Sequence, residues 1–186
     1  MAEGLDRLLT PQQTCIYAAN HASYLDAYAL LALLPREVSF VAKIEFSGHW
    51  FTRMPLKRLG TLFVERFETE RSIADARDVI RAAASGRSLM FFPEGTFTRV
   101  PGVTPFYMGA FVTAAEAGVP VVPVAIRGTR SILRDDSWFP RRGTISIVIG
   151  EPIIPEAGDR WTSAGLLREE TRRHILRHCG EPDLAA

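Results

Sequence analysis

Apolar runs alternate with amphipathic stretches along most of the chain. Six runs rich in β-branched and aromatic residues are predicted as strands, at residues 14–19, 38–43, 60–66, 88–92, 119–128 and 143–150. Several of them are apolar at every position, as strands buried on both faces of a sheet are. The pattern therefore predicts a sheet that is covered on two sides.

The stretches between these strands have helical periodicity. Helices are predicted at about residues 24–34, 46–58, 69–85 and 107–117, and a C-terminal helix at about 161–178. The alternation of strands and helices predicts an α/β fold, with a mostly parallel or mixed sheet covered by helices. We expect one domain over residues 1–186.

Pro120 and Pro123 interrupt the valine-rich strand predicted at 119–128. Proline has no backbone N–H to donate to a neighbouring strand. This strand is therefore expected to lie at a sheet edge or to contain a bulge.

Composition narrows the class of protein. The 186 residues fit one domain, and a net charge of +1 gives no reason to expect a nucleic-acid partner. The two cysteines are far apart and form no CxxC motif, which favours a reducing compartment.

No apolar run reaches the roughly eighteen residues of a membrane span, and the first residues lack a signal-peptide pattern. We expect a cytoplasmic protein that does not cross a membrane.

The segment NHASYLD, residues 20–26, places a histidine and an aspartate at a predicted strand-to-helix junction. Open α/β sheets bind ligands at the carboxyl ends of their strands, where His21 and Asp26 would both point. A carboxylate that accepts from one imidazole nitrogen leaves the other able to take a proton from a hydroxyl group. The structural alternative is a helix capping box formed by Ser23 and Asp26, with His21 as a polar loop residue.

Two further strand ends carry polar residues. In FFPEGTFTR, residues 91–99, a glycine turn follows Glu94 and offers backbone amides and side-chain donors to an anion. The residues concerned are Gly95, Thr96, Thr98 and Arg99. Arg66 ends the predicted strand GTLFVER and can bind a phosphate group bidentately. Taken singly, a plain loop and a solvated charge pair explain these residues better than a site does. Together with the histidine and aspartate, they suit the acylation of a phosphate-bearing alcohol.

Four segments together resemble the glycerolipid acyltransferases of the lysophosphatidate acyltransferase type. NHASYLD resembles the first family block, N-H-x-x-x-x-D, while GTLFVER, FPEGT and VPVVPV resemble the second, third and fourth. The blocks follow the family's order within residues 20–126. The resemblance implies a glycerol-3-phosphate acyltransferase-like fold and an O-acyltransferase of phospholipid biosynthesis. Such an enzyme moves a fatty acyl group from acyl-CoA or acyl carrier protein to a lysophospholipid, above all 1-acyl-glycerol 3-phosphate, and so makes phosphatidic acid.

The resemblance also implies residue roles. His21 would deprotonate the acceptor hydroxyl group, and Asp26 would orient His21. Arg66 would hold the acceptor phosphate, and Glu94 and Gly95 would shape the acceptor pocket. The thioester is a co-substrate, and neither a metal nor a prosthetic group is implied.

The chain departs from the family pattern in two places. Phe97 stands where members commonly have an arginine, so a phosphate contact from this block would fall to Arg99 with a different reach. Many members also carry apolar helices before the first block, where this chain has nineteen residues. We therefore expect a short member of the family or one domain of a longer polypeptide.

A lipid substrate has to come from a membrane, and two segments mix aromatic with basic side chains. Residues 45–60 suit either a helix lying at the headgroups or a core helix with solvated charges. The segment DDSWFPRRG, residues 135–143, is a second aromatic and basic tip. We expect a peripheral protein on the cytoplasmic face of the membrane.

Two other functions are compatible with the same sequence. One is a thioesterase that uses the same histidine and aspartate, and the other is a lipid-binding module that catalyses no reaction.

Overall fold

The fold is built on a sheet whose strands are mostly parallel. The computed structural model describes residues 1–7, 13–34, 38–43, 62–64, 69–133 and 139–185. Within them the strand order is β1-β7-β6-β2-β5-β3-β4, and every pairing is parallel except that of β6 with β7. The strands are β1 (Ala2–Glu3), β2 (Ile16–Ala19), β3 (Ser39–Lys43), β4 (Leu62–Val64), β5 (Leu89–Phe91), β6 (Val121–Arg127) and β7 (Ser146–Ile149). The predicted mixed α/β class is confirmed.

Helices connect the strands and cover the sheet. They are α1 (Leu25–Leu31), α2 (Thr69–Ala84), α3 (Gly109–Ala117), α4 (Thr129–Ile132) and α5 (Arg160–Cys179). Four of them match predicted helices, including the C-terminal one, while the helix predicted at 46–58 lies outside the described residues. The short α4 and β1 were not predicted, because elements of four and two residues are too short to show a period. None of the described helices has both the length and the apolar character needed to cross a membrane.

Strand β2 buries alternate residues on opposite faces of the sheet. Ile16 and Ala18 belong to a core formed with α2, α3 and α5. Tyr17 and Ala19 belong to a second core formed with α1. Because helices pack on both faces, the central strands have no polar face, and this explains their uninterrupted apolar sequence.

Strand β6 lies in the interior of the sheet although it contains Pro123. It pairs with β2 on one side and β7 on the other. The carbonyl of Pro123 accepts from the Gly150 amide at 2.8 Å, at the end of the β6–β7 ladder. Because Pro123 has no N–H, the β6–β7 ladder lacks one hydrogen bond at its end. Beyond this pair Val121 pairs with Ile153, so the register shifts by one residue, as in a β-bulge. The expected bulge is present, and the alternative edge position is wrong.

The sheet order brings the loops after β2 and β5 to one edge. The two strands are parallel neighbours, with Ala18 opposite Phe91. Asn20, the first residue after β2, is buried and exchanges two hydrogen bonds with the backbone of Ile126 in β6, at 2.9 and 2.7 Å. This amide side chain extends the β2–β6 pairing beyond the strand and fixes the start of the loop that carries His21.

Candidate active site

The His21 ring lies against the carboxylate of Asp26. Its Nδ1 is 2.9 Å from Asp26 Oδ2, and the same oxygen accepts the backbone N–H groups of Ala22 and Ser23 at 2.6 and 2.8 Å. An oxygen that already receives two amides acts as an acceptor, so Nδ1 carries the hydrogen and the lone pair is on Nε2. The Asp26 side chain is fully buried, whereas that of His21 is 15% exposed. The ring therefore presents a basic nitrogen from a fixed position.

The local sequence produces this arrangement through the start of α1. Asp26 is the second residue of the helix, and a side chain in the first turn points back toward the unpaired amides of the helix N-terminus. The Ser23 hydroxyl accepts from the Leu25 amide at 3.3 Å and donates to the Leu133 carbonyl at 2.9 Å. Asp26 thus makes the histidine contact and also accepts the Ser23 amide, which is one half of the predicted capping box. The other half is absent, because the Asp26 amide donates to the Ser23 carbonyl and not to its hydroxyl.

Glu94 connects the loop after β5 to the loop after β2. Its Oε1 accepts the His21 backbone N–H at 2.7 Å. Its Oε2 accepts the backbone N–H and the hydroxyl of Thr104 at 2.8 and 3.0 Å. Burial raises the pKa of Glu94, while the hydrogen bonds from His21 and Thr104 oppose this shift. Both oxygens are engaged by the protein, so the observed contacts position the loops, and the predicted substrate contact of Glu94 stays a prediction.

Aromatic side chains hold the imidazole on two sides. The Phe92 ring stacks on the His21 ring with centroids 4.2 Å apart and an interplanar angle of 17°. Phe97 meets the same ring edge-on at 4.8 Å, and it also meets Tyr24 edge-on at 4.8 Å. Phe97, which replaces the arginine of the family pattern, therefore forms an apolar wall beside the imidazole.

Three of the remaining predicted site residues lie in the loop after Glu94. Gly95 has a φ of +75°, in the left-handed region that favours glycine, and its amide donates to the Phe92 carbonyl at 2.9 Å. Thr96 and Arg99 are exposed on the same loop, and their predicted part in substrate binding stays a prediction. Arg66 lies outside the described residues.

Asn20 and Thr104, like Phe92, belong to the site but were not predicted from the sequence. Asn20 directly follows a buried strand, and a buried amide has to be hydrogen-bonded, so its position was a usable signal. Thr104 lies ten residues beyond Glu94 in an irregular segment, and no periodicity connects the two.

Comparison with known proteins identifies relatives of this chain. The family model described as Acyltransferase matches residues 3–127, more than half of the chain. A chloroplastic 1-acyl-sn-glycerol-3-phosphate acyltransferase, BAT2 of Brassica napus, is 30% identical over 93% of this chain and 48% of its own length. A lyso-ornithine lipid O-acyltransferase of Pseudomonas aeruginosa is 31% identical over 81% of this chain and 63% of its own length.

The fold also has a solved counterpart. The crystal structure of the 1-acyl-sn-glycerophosphate acyltransferase PlsC from Thermotoga maritima superposes with a TM-score of 0.72 at 23% identity, and it covers 94% of this chain and 71% of that chain. This likeness concerns the fold. The chain spans about half the length of the first plant relatives that it matches, at 48% and 44%.

Proposed function

We propose that this chain, which belongs to the acyltransferase family, moves a fatty acyl group from a thioester donor to the hydroxyl group of a lysophospholipid. The proposed donor is acyl-CoA or acyl carrier protein, and the proposed acceptor is 1-acyl-glycerol 3-phosphate, which would become phosphatidic acid. The observation that carries the proposal is the 2.9 Å contact between His21 Nδ1 and Asp26 Oδ2. It supports a general base whose reactive nitrogen, Nε2, has no hydrogen-bond partner among the described residues.

In the proposed reaction the acyl group passes directly between the substrates. Nε2 of His21 takes the proton of the acceptor hydroxyl as that oxygen attacks the thioester carbonyl carbon. The tetrahedral intermediate then expels the sulfur, and the thiolate takes the proton back from the imidazolium. Asp26 stabilises the imidazolium between these steps through its contact with Nδ1. The scheme uses neither a metal nor a prosthetic group.

The oxyanion of the intermediate needs hydrogen-bond donors. The amides of His21, Ala22 and Ser23 already donate to Glu94 and Asp26, so they are not available for it. The turn at Gly95 carries the amides of Thr96 and Phe97, and the Phe97 ring meets His21 edge-on. We assign the oxyanion contact to this turn, and the acceptor phosphate to Arg66 and Arg99.

A lipid acceptor also requires a route from the membrane. Phe139 is 84% exposed, and Arg141 and Arg142 beside it are exposed too. The Arg141 amide donates to the carbonyl of Ile132 at 2.8 Å, one residue before the Leu133 carbonyl that binds Ser23. An aromatic and basic tip thus lies close to the His21 loop, and this supports docking on an anionic, cytoplasmic membrane face.

Docking is tested by co-sedimentation with vesicles of phosphatidylcholine containing anionic phosphatidylglycerol at low salt. We expect binding that weakens when Phe139 is replaced by Ser and Arg141 and Arg142 by Gln. The control replaces Arg160 and Glu116, a surface ion pair away from this tip, by Gln. Equal sedimentation of all variants, or none of the wild type, would contradict a docking surface here.

The acceptor and the reaction class are tested together. The purified chain is given acyl-CoA or acyl carrier protein with one acceptor at a time, and products are read by mass spectrometry. The acceptors are 1-acyl-glycerol 3-phosphate, glycerol 3-phosphate, a choline lysophospholipid and lyso-ornithine lipid, the last because of the Pseudomonas relative. Phosphatidic acid is the expected product. Thioester cleavage at the same rate without any acceptor would favour the thioesterase alternative.

The role of His21 is tested by His21→Ala. General base catalysis contributes about 10²- to 10⁴-fold, so kcat should fall by that factor or more. Unchanged far-ultraviolet circular dichroism would show that the fold persists. Wild-type turnover in a folded His21→Ala protein would refute the mechanism.

A further inference from the structure

We infer that Arg172 on α5 is a positioning residue for His21 and acts through Thr104 and Glu94. The catalytic part of this inference rests on the proposed function. Arg172 does not contact the imidazole. It holds the peptide segment that holds Glu94, and Glu94 in turn holds the backbone from which the imidazole projects.

Thr104 is the central link. On one side its backbone N–H and its hydroxyl both donate to Glu94 Oε2, at 2.8 and 3.0 Å. On the other side its carbonyl accepts Nη1 of Arg172 at 2.6 Å. Every polar group that Thr104 has is therefore engaged between the two charged side chains. A shift of this residue has to be transmitted to Glu94.

Arg172 is a buried cation held from several directions. The residue is 8% exposed, and its Nη2 donates to the Val103 carbonyl at 3.1 Å. The same nitrogen pairs with the carboxylate of Asp183, and the guanidinium carbon lies 5.0 Å from the centroid of the Phe106 ring. The planar fork reaches two consecutive carbonyls at once, which a lysine ammonium does not reproduce.

The last residues of the described chain reinforce this contact. The Val103 amide donates to the Pro182 carbonyl at 2.8 Å, and the Leu184 amide donates to the Val103 carbonyl at 3.0 Å. Asp183 pairs with Val103 as an isolated parallel bridge. The segment after α5 thus closes over residues 103–104 from the side opposite Glu94, and Arg172 fastens it there.

The path from α5 to the imidazole consists of three short links. They are Arg172 to the Thr104 carbonyl at 2.6 Å, the Thr104 amide to Glu94 at 2.8 Å, and the His21 amide to Glu94 at 2.7 Å. Misplacement of a reacting group by about 1 Å can reduce a rate by about 10²-fold. A loosened Thr104 should therefore reduce turnover without weakening substrate binding.

Two substitutions test the path. Thr104→Val removes one hydroxyl donor while keeping the size and the amide, and Arg172→Lys keeps the charge but not the fork. For both we expect kcat to fall by roughly tenfold, the scale of one hydrogen bond to a charged group, with KM for both substrates changed less than about twofold. Thr104→Ser restores the donor and should restore kcat.

The matched control is Arg168→Lys, one helical turn earlier on α5. Arg168 is more exposed and contacts Glu169 and the sulfur of Met108, so it has no part in the path. Its turnover should equal that of the wild type. A kcat of Thr104→Val and Arg172→Lys equal to that of Arg168→Lys would overturn the inference.

A measurement that needs no activity separates this inference from the proposed function. Because the Thr104 hydrogen bonds lower the pKa of Glu94, carbon NMR of the Glu94 carboxyl group should show a higher pKa in Thr104→Val than in the wild type. The His21 amide proton should shift in both variants but not in Arg168→Lys. If the wild type transfers no acyl group yet these shifts occur, the path stands and the proposed function fails. If the wild type is active and the shifts are absent, the path fails alone.

Discussion

Asp26 holds the His21 ring and the turn that precedes α1 with the same oxygen atom. Oδ2 accepts from His21 Nδ1 at 2.9 Å and from the amides of Ala22 and Ser23 at 2.6 and 2.8 Å. The other oxygen, Oδ1, is buried without a hydrogen-bond partner in the part of the chain that the structure describes. The orientation of the imidazole and the turn that leads into the helix therefore depend on one carboxylate. The substitutions Asp26→Asn and Asp26→Ala separate these two roles.

Asp26→Asn should keep the helix start but lose activity. The asparagine oxygen can occupy the Oδ2 position and accept the same three N–H groups, yet it brings no charge to stabilise the imidazolium. We expect kcat to fall by about 10²-fold or more. Asp26→Ala should lose as much activity and more stability, because it leaves three donors unpaired at about 1–3 kcal/mol for each one that stays buried. Steady-state kinetics and urea unfolding measure the two effects, and wild-type turnover in Asp26→Asn would contradict the proposed role.

The pKa of Glu94 predicts a pH dependence of stability. Burial raises this pKa in the folded protein above its ordinary value of 4.5, which the unfolded chain retains. Between the two values the unfolded state binds fewer protons than the folded state, so the contribution of Glu94 to stability is lost as pH rises through the window.

The measurement compares wild type with Glu94→Gln, which does not titrate. Urea unfolding from about pH 4 to 7 should show the stability of the wild type falling relative to the variant as pH rises above 4.5. Parallel stability curves for the two proteins would contradict a raised pKa.

Asn20→Ala should destabilise the fold. The Asn20 amide pairs with both the N–H and the carbonyl of Ile126 inside the protein, so alanine leaves two buried backbone groups unpaired. We expect a loss of about 2–4 kcal/mol in the free energy of unfolding, measured by urea titration. Ser85→Ala is the control, because the Ser85 hydroxyl also binds a backbone carbonyl but is exposed, and its effect should stay within about 0.5 kcal/mol. Equal effects of the two substitutions would show that Asn20 does not clamp β2 to β6.

Gly128 and Gly165 should respond to alanine in opposite directions. Gly128 directly follows β6 and has a φ of +95°, and an added Cβ would collide with the Thr144 carbonyl oxygen. Gly165 lies inside α5 with no atom within 4 Å of an added Cβ. Gly128→Ala should therefore cost about 1–3 kcal/mol, and Gly165→Ala should add about 0.5–1 kcal/mol. Thermal unfolding of the two variants measures both, and a stabilising Gly128→Ala would contradict the strained turn.

The elements of the fold were predictable where a period or a run marks them. Strand β2 and helix α5 appear close to the predicted bounds, because a buried strand shows as an uninterrupted apolar run and a long helix shows a repeated spacing. The interior position of β6 was not predictable from the sequence. Pro123 costs the β6–β7 ladder a hydrogen bond only at the ladder's end, and where that ladder ends depends on the neighbouring strand β7. Short elements such as α4 give no periodic signal at all.

The contact of His21 with Asp26 could be predicted from the sequence as one of two alternatives, because the two residues lie five apart at the start of a helix. The residues that support this pair from behind follow from the tertiary fold. Glu94 is 73 residues from His21, and Arg172 is 68 residues from Thr104, so their contacts exist because β5 pairs with β2 and α5 packs across the sheet. Contacts within one helical turn follow from bond geometry, whereas contacts between distant residues follow from strand order, which no local pattern encodes.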